Sequence, residues 1–547
     1  MKKKELIIIL GSLLIVVLSV TLAYFTTEIF GSGKDISVES TDLKIIFSAG
    51  TGTIAGTEIV PGWSSGVNTF TVKNESNSAY KYNIVIKDLV NTFATKGYLL
   101  YKITSADGGY NMGDFKDVPK SSTQKDKVLA YSVEIAKGAT HTYSVEFKYE
   151  NSSEVDQSDD MGRILSGTLY IEKGTLPLTL AEKLLEDNPT IQTRGSFSAV
   201  FTTTNTGTLY KATESIAGST SKDVYYFAGD AKNNWVKFGT YKINGPIRGY
   251  FDSTSISYRE YASMEECTSA SSYNYNCSYT WSAGDDIYWR IIRTNHDGSI
   301  RLLYSGTSPD TTEGYICASA FNKKFNSPKY VGYMYGEDDS TLEGIRANTK
   351  DSTIKTYIDN WYNTNLTSYT KYISTDAVYC NDRKAPSYNA NSSFNYYINT
   401  RLNAGNPTYD CEDIKDAFSG TNNEAKLTYP IGLMTADEIT YAGGYKYTSL
   451  TSPYAWYYLN SAGGSITGYT YWWLLSPDGW NGPYARSWFV SGFDSRSDSP
   501  GDLRNNYVGD SNGVRPVISI KSCTLWLSGN GSSSSPYEIN LDTDISC

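Results

Sequence analysis

The stretch Tyr471–Pro500, YWWLLSPDGWNGPYARSWFVSGFDSRSDSP, holds four Trp, two Tyr and two Phe, interrupted every few positions by Gly, Ser, Asp, Asn or Pro. A buried strand needs fewer turn formers, and a loop needs fewer rings. The beginning of the stretch reads as scaffold: Trp472 and Leu474 are spaced by two, as one strand face requires, and so are Ile518 and Ile520 in the later GVRPVISI. Between these flanks, rings alternate with charges and amides. Asp478, Trp480, Asn481, Tyr484, Arg486, Phe493, Asp494, Arg496 and Arg504 are therefore the candidate ligand-binding residues. Stacked rings supply contact area and polar groups fix orientation. Trp488 and Phe489 fit a core strand equally well. The expectation is a rigid strand scaffold that presents rings to water.

A chain of 547 residues is long enough for several domains. Its net charge of −10, with no basic stripe, argues against a nucleic-acid partner. The 47 Tyr, beside abundant Ser, Gly and Asn, suit either a recognition surface or a strand-rich secreted protein. MKKK precedes the apolar run Leu6–Phe25, long enough to cross a bilayer as a helix. Residues 1–30 thus read as a signal peptide or membrane anchor, which places the rest at the cell surface or outside the cell. Seven Cys agree with an oxidising compartment. The expected pairs are Cys267 with Cys277, Cys380 with Cys411 and Cys523 with Cys547, leaving Cys317 as an inert thiol, although sequence does not fix connectivity.

Residues 31–174 alternate apolar and polar positions in DLKIIFSA, NTFTVKN, YKYNIVIKDL, KVLAYSVEIA, THTYSVEFKY and SGTLYIEK. That pattern predicts a β-sandwich. Residues 175–221 read as a short amphipathic helix, LPLTLAEKLLEDNP, and a Thr-rich linker. In 222–522, DIYWRIIRTNHDGSIRLLYSG predicts a hairpin turning at NHDG. DSTIKTYIDNWYNTNL predicts a helix capped by Asp351 or Ser352, and TADEITYAGG a second, capped by Thr435 and ended by its glycine pair. Residues 523–547 read as a C-terminal tail. The fold class is mainly β with an α+β head.

Two segments resemble known families. VPGWSSGVNTFTVKN, IAKGATHTYSVEFKYE and DQSDDMGRILSGTLYIE are similar to the camelysin and biofilm-fibre-subunit family. This implies an extracellular sandwich, in a family of which some members build fibres. Protease chemistry would need a metal site, and no HExxH is present. Farther on, NNWVKFG, YWRIIRTNHDGSIRLLYSGT, STIKTYIDNWYNTNL, AVYCNDR, YPIGLMTADEITYAGG, WWLLSP and NGVRPVISIKS occur in the order seen in C-type-lectin-like domains of the formylglycine-generating-enzyme type, in particular surface domains of gut Gram-positive bacteria. The resemblance implies an α+β ligand-binding fold. Some relatives have this C-terminal region diversified by retroelements. Formylglycine formation needs a late Cys pair, and no Cys lies between Cys411 and Cys523, so the resemblance implies the fold and not the chemistry.

Other catalytic signals are weak. GTGTIAG, Gly50–Gly56, follows a strand but opens no helix, so it reads as a turn rather than a phosphate loop. His141 and His296 have no neighbouring nucleophile in sequence, and with only two His a zinc site is not expected. Oxygens near Asp494, Asp498 and Asp510 offer a calcium site without an EF-hand pattern to support it; no cofactor is expected. The reading is a non-enzymatic, adhesin-like surface protein whose partner is an extracellular glycan or protein. The alternatives are a fibre, pilus or biofilm-matrix subunit that self-assembles through the sandwich, and a secreted hydrolase with distant carboxylates.

Overall fold

Apolar side chains at every second position of Asn68–Asn74, Thr140–Tyr149 and Leu165–Lys173 turn inward while their neighbours face water, as the pleat dictates. In the computed structural model, which describes residues 36–40, 43–49, 59–174, 178–203, 207–251, 258–450, 455–493 and 500–541, the chain divides into two compact units, Met1–Pro177 and Leu178–Cys547. The apolar run Leu6–Phe25 and the loop Gly50–Gly56 lie outside the described residues. Among the described residues no helix is long and apolar enough to cross a membrane.

The first unit is built from antiparallel strands in two sheets. One follows the order Ile36–Ser40, Leu43–Ala49, Asn68–Asn74, Thr140–Tyr149, Leu99–Ser105 and Lys116–Asp117, with Trp63–Ser64 also on Thr140–Tyr149. The other has Tyr80–Asn91 between Leu165–Lys173 and Ser121–Ile135. Phe70, Val145 and Phe147 from the first sheet share one core with Ile84, Ile86 and Leu169 from the second, which makes the expected sandwich. Inside it, Tyr82 Oη lies 2.8 Å from His141 Nδ1 and bonds to Tyr143 Oη, which accepts from Tyr110 N.

Burial holds the His141 imidazole below its ordinary value, against the pull of Asp107. The neutral ring is the folded form. Its contribution to stability is therefore complete above about pH 6.5. It declines below that and levels off once pH passes beneath the lowered folded value. Thermal unfolding of the full chain should show the first unit losing stability as pH falls below about 6.5, with the slope flattened in His141→Gln. An equal slope in that variant would exclude His141 as its source.

The second unit has a ten-stranded sheet whose main path runs Thr190–Gln192, Thr208–Glu214, Lys222–Tyr226, Asp286–Thr294, Trp235–Thr240, Tyr537–Ile539 and Trp526–Ser528. From Asp286–Thr294 it continues through Ile300–Tyr304 and Pro516–Ile520 to Gly432–Leu433. A six-stranded sheet contains Cys317–Ala320, Ser511–Val514, Trp472–Trp480, Ala485–Val490 and Leu503–Tyr507, with Phe394–Asn395 on Trp472–Trp480. NHDG closes the predicted hairpin: Gly298, at φ 80°, donates to Asn295 O, and Asn295 N donates to Ser299 O. The helix Thr353–Asn365 starts at Ser352, whose hydroxyl accepts from Lys355 N. The helix Ala436–Ala442 starts with a capping box between Thr435 and Glu438 and ends at Gly443, φ 122°.

Two boundaries differ from expectation. The 175–221 segment does contain the helix Leu180–Asp187, but Leu180 and Leu184 enter the core of the second unit and Thr208–Glu214 joins its large sheet, so it is not a linker. The 523–547 tail likewise supplies two sheet strands and buries Tyr537 and Ile539. Both segments carry apolar residues that only long-range pairing can cover. Of the expected disulfides, Cys267–Cys277 and Cys380–Cys411 are formed. Cys523 is also disulfide-bonded, and Cys547 lies outside the described residues. Cys317 is a free, buried thiol whose pKa burial pushes up.

Candidate functional site

Ala485–Val490 runs antiparallel between Trp472–Trp480 and Leu503–Tyr507, opposing Arg486 to Tyr507 and Trp488 to Asn505. Alternation therefore sets Arg486 and Trp488 on one side of the sheet, with Asn505 and Tyr507 beside them. Just before the strand, Asn481 Oδ1 accepts from Tyr484 N, forming the turn that delivers the Tyr484 ring. That ring lies 4.6 Å from Tyr507 and 5.4 Å from Phe325, centroid to centroid. All three are exposed, at 36%, 40% and 40% respectively. Phe325 is fixed from below: its carbonyl accepts from Ala485 N, and its ring covers Gly509, where a Cβ would sit 2.7 Å from it. Exposed rings held by backbone contacts keep their hydration cost while losing little entropy on binding.

Next to these rings lies a charged cluster. Asp478 is fully buried; its Oδ1 accepts from Asn399 Nδ2 at 2.6 Å and its Oδ2 lies 3.2 Å from Arg486 Nη2. Burial raises its carboxyl pKa, only partly offset by Arg486, Asn399 and Lys446. Lys446 donates to Asn403 Oδ1 at 2.6 Å, and its ammonium lies 5.0 Å from the Tyr447 ring centre and 5.5 Å from that of Trp488. Burial holds this ammonium below its ordinary pKa. Tyr447, at φ 52°, is 54% exposed and accepts from Asn505 Nδ2 through its hydroxyl. Trp488 Nε1 is buried without a hydrogen-bond partner. Two cations thus surround one buried carboxylate on a surface rimmed with rings.

The nine sequence-predicted positions separate accordingly. Tyr484, Arg486 and Asp478 belong to this face, and Asn481 shapes the turn that leads into it. Trp480 does not stand in water: it is 6% exposed and its Nε1 donates to Ala390 O. Asp478, also expected at the surface, is an interior anchor for Arg486. Phe493 is exposed but packs on Tyr469 in a separate patch, and Arg504, opposite Phe489 in register, donates to Asp502. Asp494 and Arg496 lie outside the described residues, as does Asp498; Asp510 is exposed. Among the described residues no group of three or more His, Cys, Asp or Glu is arranged to hold a metal ion.

Phe325, Lys446, Tyr447, Asn505 and Tyr507 were not anticipated. The pair on Leu503–Tyr507 could have been found from its period of two; the other three arrive from distant loops with no local signal. No family model and no curated protein matches the chain.

Proposed function

We propose that the chain is an extracellular, surface-displayed binding protein whose C-terminal sheet presents an aromatic and basic face to a glycan or protein. The observation that carries this reading is the group of three exposed rings, Tyr484 packed on both Phe325 and Tyr507, beside the paired Asp478 and Arg486 on a backbone-fixed support. Such a face favours stacking on a sugar ring or a peptide side chain, and Arg486 and Lys446 favour an acceptor-rich partner. The disulfides support an oxidising location. The resemblance to C-type-lectin-like surface domains is in keeping with binding without turnover.

The test is a glycan and matrix-protein array probed with the full chain. The double variant Tyr484→Ala/Tyr507→Ala should weaken binding to a confirmed ligand at least about tenfold, since each lost stacking contact is worth on the order of 1 kcal/mol. Its melting temperature should stay unchanged, because both rings are exposed. Full retention of binding would remove the face from the site.

A further inference from the structure

Rings occupy both ends of the surface formed by Ala485–Val490 and Leu503–Tyr507, and cations occupy its middle. Tyr484, Tyr507 and Phe325 stand at one end. Tyr447, 6.4 Å from Trp488 centroid to centroid, stands at the other. Arg486 lies opposite Tyr507 in the ladder, and Trp488, the next residue on the same side of the strand, lies under the Lys446 ammonium. The order across the face is therefore ring, Arg486, Lys446, ring.

The middle carries more positive charge than its own carboxylate balances. Asp478 Oδ2 lies 3.2 Å from Arg486 Nη2, while the Lys446 ammonium is held by the neutral side-chain oxygens of Asn403 and Asn399, at 2.6 and 3.3 Å. Burial holds this ammonium below its ordinary pKa, Asp478 pulls it back and Arg486 lowers it further, so the two cations repel one another. Neither is fully exposed, which removes part of the water that would screen them. Lys323 and Lys324, exposed beside Phe325 in the chain, form no ion pair among the described residues; Asp510, beyond Tyr507, is an exposed acid. Amides and hydroxyls lie beside the rings as well: Asn505 Nδ2 donates to Tyr447 Oη at 2.7 Å, and Asn403 is exposed next to Lys446. Stacking surfaces interleaved with donors and acceptors match a sugar, which has an apolar face and hydroxyls around its edge, and two ring platforms suit successive units of one glycan chain. The cations between them call for an anion carried close to a stacked ring.

We infer that this face takes an acidic oligosaccharide: one sugar stacks on Tyr484 and Tyr507, the ring-borne carboxylate of a uronic acid accepts from Arg486 and Lys446, and a neighbouring unit meets Tyr447. The inference rests on the reading of the aromatic face as the binding site and specifies its partner.

Calorimetric titration of the full chain with galacturonate and glucuronate tetramers, each beside its methyl ester, tests it; the ester keeps the sugar and removes the charge. At least one acid should bind at least about tenfold more tightly than its ester, and the difference should shrink with added salt. Arg486→Gln should lower the acid-to-ester ratio at least about threefold. So should Lys446→Met, whose neutral chain suits a site that already disfavours the ammonium. Failure of both acids, equal binding of the esters, tighter binding of polyglutamate or of a sulfated disaccharide, or an unchanged ratio in Lys446→Met would each overturn the assignment. A neutral glycan or matrix protein that binds, and is lost in Tyr484→Ala/Tyr507→Ala while both acids fail, would keep the face and remove only its acidic partner. Acid binding that survives this double variant would remove the face itself.

Discussion

Glu438→Ala is expected to destabilise the second unit by about 3–5 kcal/mol, the usual consequence of stranding buried charges. Glu438 is 1% exposed, and its Oε1 accepts from Arg293 Nε at 2.9 Å and from Arg301 Nη1 at 2.7 Å. Oε2 completes the capping box of its own helix by accepting from Thr435 N. Burial opposes its ionisation, yet the two guanidinium groups win and hold its carboxyl below the usual range. Removing it leaves Arg301, whose Nε already has no partner, without its ion pair, and leaves Arg293 with Glu214 alone. A domain stable by about 5–15 kcal/mol would lose a large share of that. Because the folded pKa is lowered, this stabilisation is present above the unfolded value and is lost as pH falls through the folded one. Urea unfolding of the variant and the parent near neutral pH measures the loss. Glu438→Gln, which retains the shape and some hydrogen bonds, should fall between them. A loss below about 1 kcal/mol in Glu438→Ala would mean the arginines find other partners or water.

Replacing Cys380 and Cys411 by Ser should cost about 3–4 kcal/mol, from the chain entropy restored to a 31-residue loop in the unfolded state. The bridge also braces local structure. Tyr379–Cys380 pairs with Ala417–Phe418, and just before that strand the buried Asp416 accepts from Arg383 Nε and Arg383 N. Denaturant unfolding reads the global effect. The Cys267–Cys277 bridge spans only ten residues, and its removal should cost less, about 2–3 kcal/mol. If the two losses came out in the reverse order, loop length would not be what governs them here.

Local features were legible in the sequence because local chemistry decides them. Ser352 and Thr435 announce helix starts, the paired glycines after Ala442 announce an end, and NHDG fits only a turn. The alternating sandwich strands were equally clear. What escaped was burial on the second face of a strand. Every residue of Trp472–Trp480 is buried, although period-two spacing singled out only alternate positions as core. Asp478 sits where the register with Ala485–Val490 shifts, and this irregularity turns it inward onto Asn399 and Arg486. Trp480 is covered because Phe394–Asn395, far back in the chain, adds a strand beside it and Ala390 O accepts its indole proton. The aromatic face assembles in the same non-local way: Tyr484 and Arg486 come from the stretch that looked like a recognition surface, while Phe325 and Tyr447 come from elsewhere.

The lone thiol at Cys317 has a consequence for biogenesis. In the finished molecule it is sealed inside and held protonated, so no exchange reagent can reach it as an active nucleophile. In the unfolded chain under oxidising conditions, however, all seven sulfurs are exposed, and the odd one competes for partners. Correct crosslinking therefore depends on the strand Cys317–Ala320 docking against Ser511–Val514, nearly two hundred residues downstream, before mispaired bonds are locked in. Oxidative refolding of the full chain should accumulate scrambled isomers that Cys317→Ala suppresses.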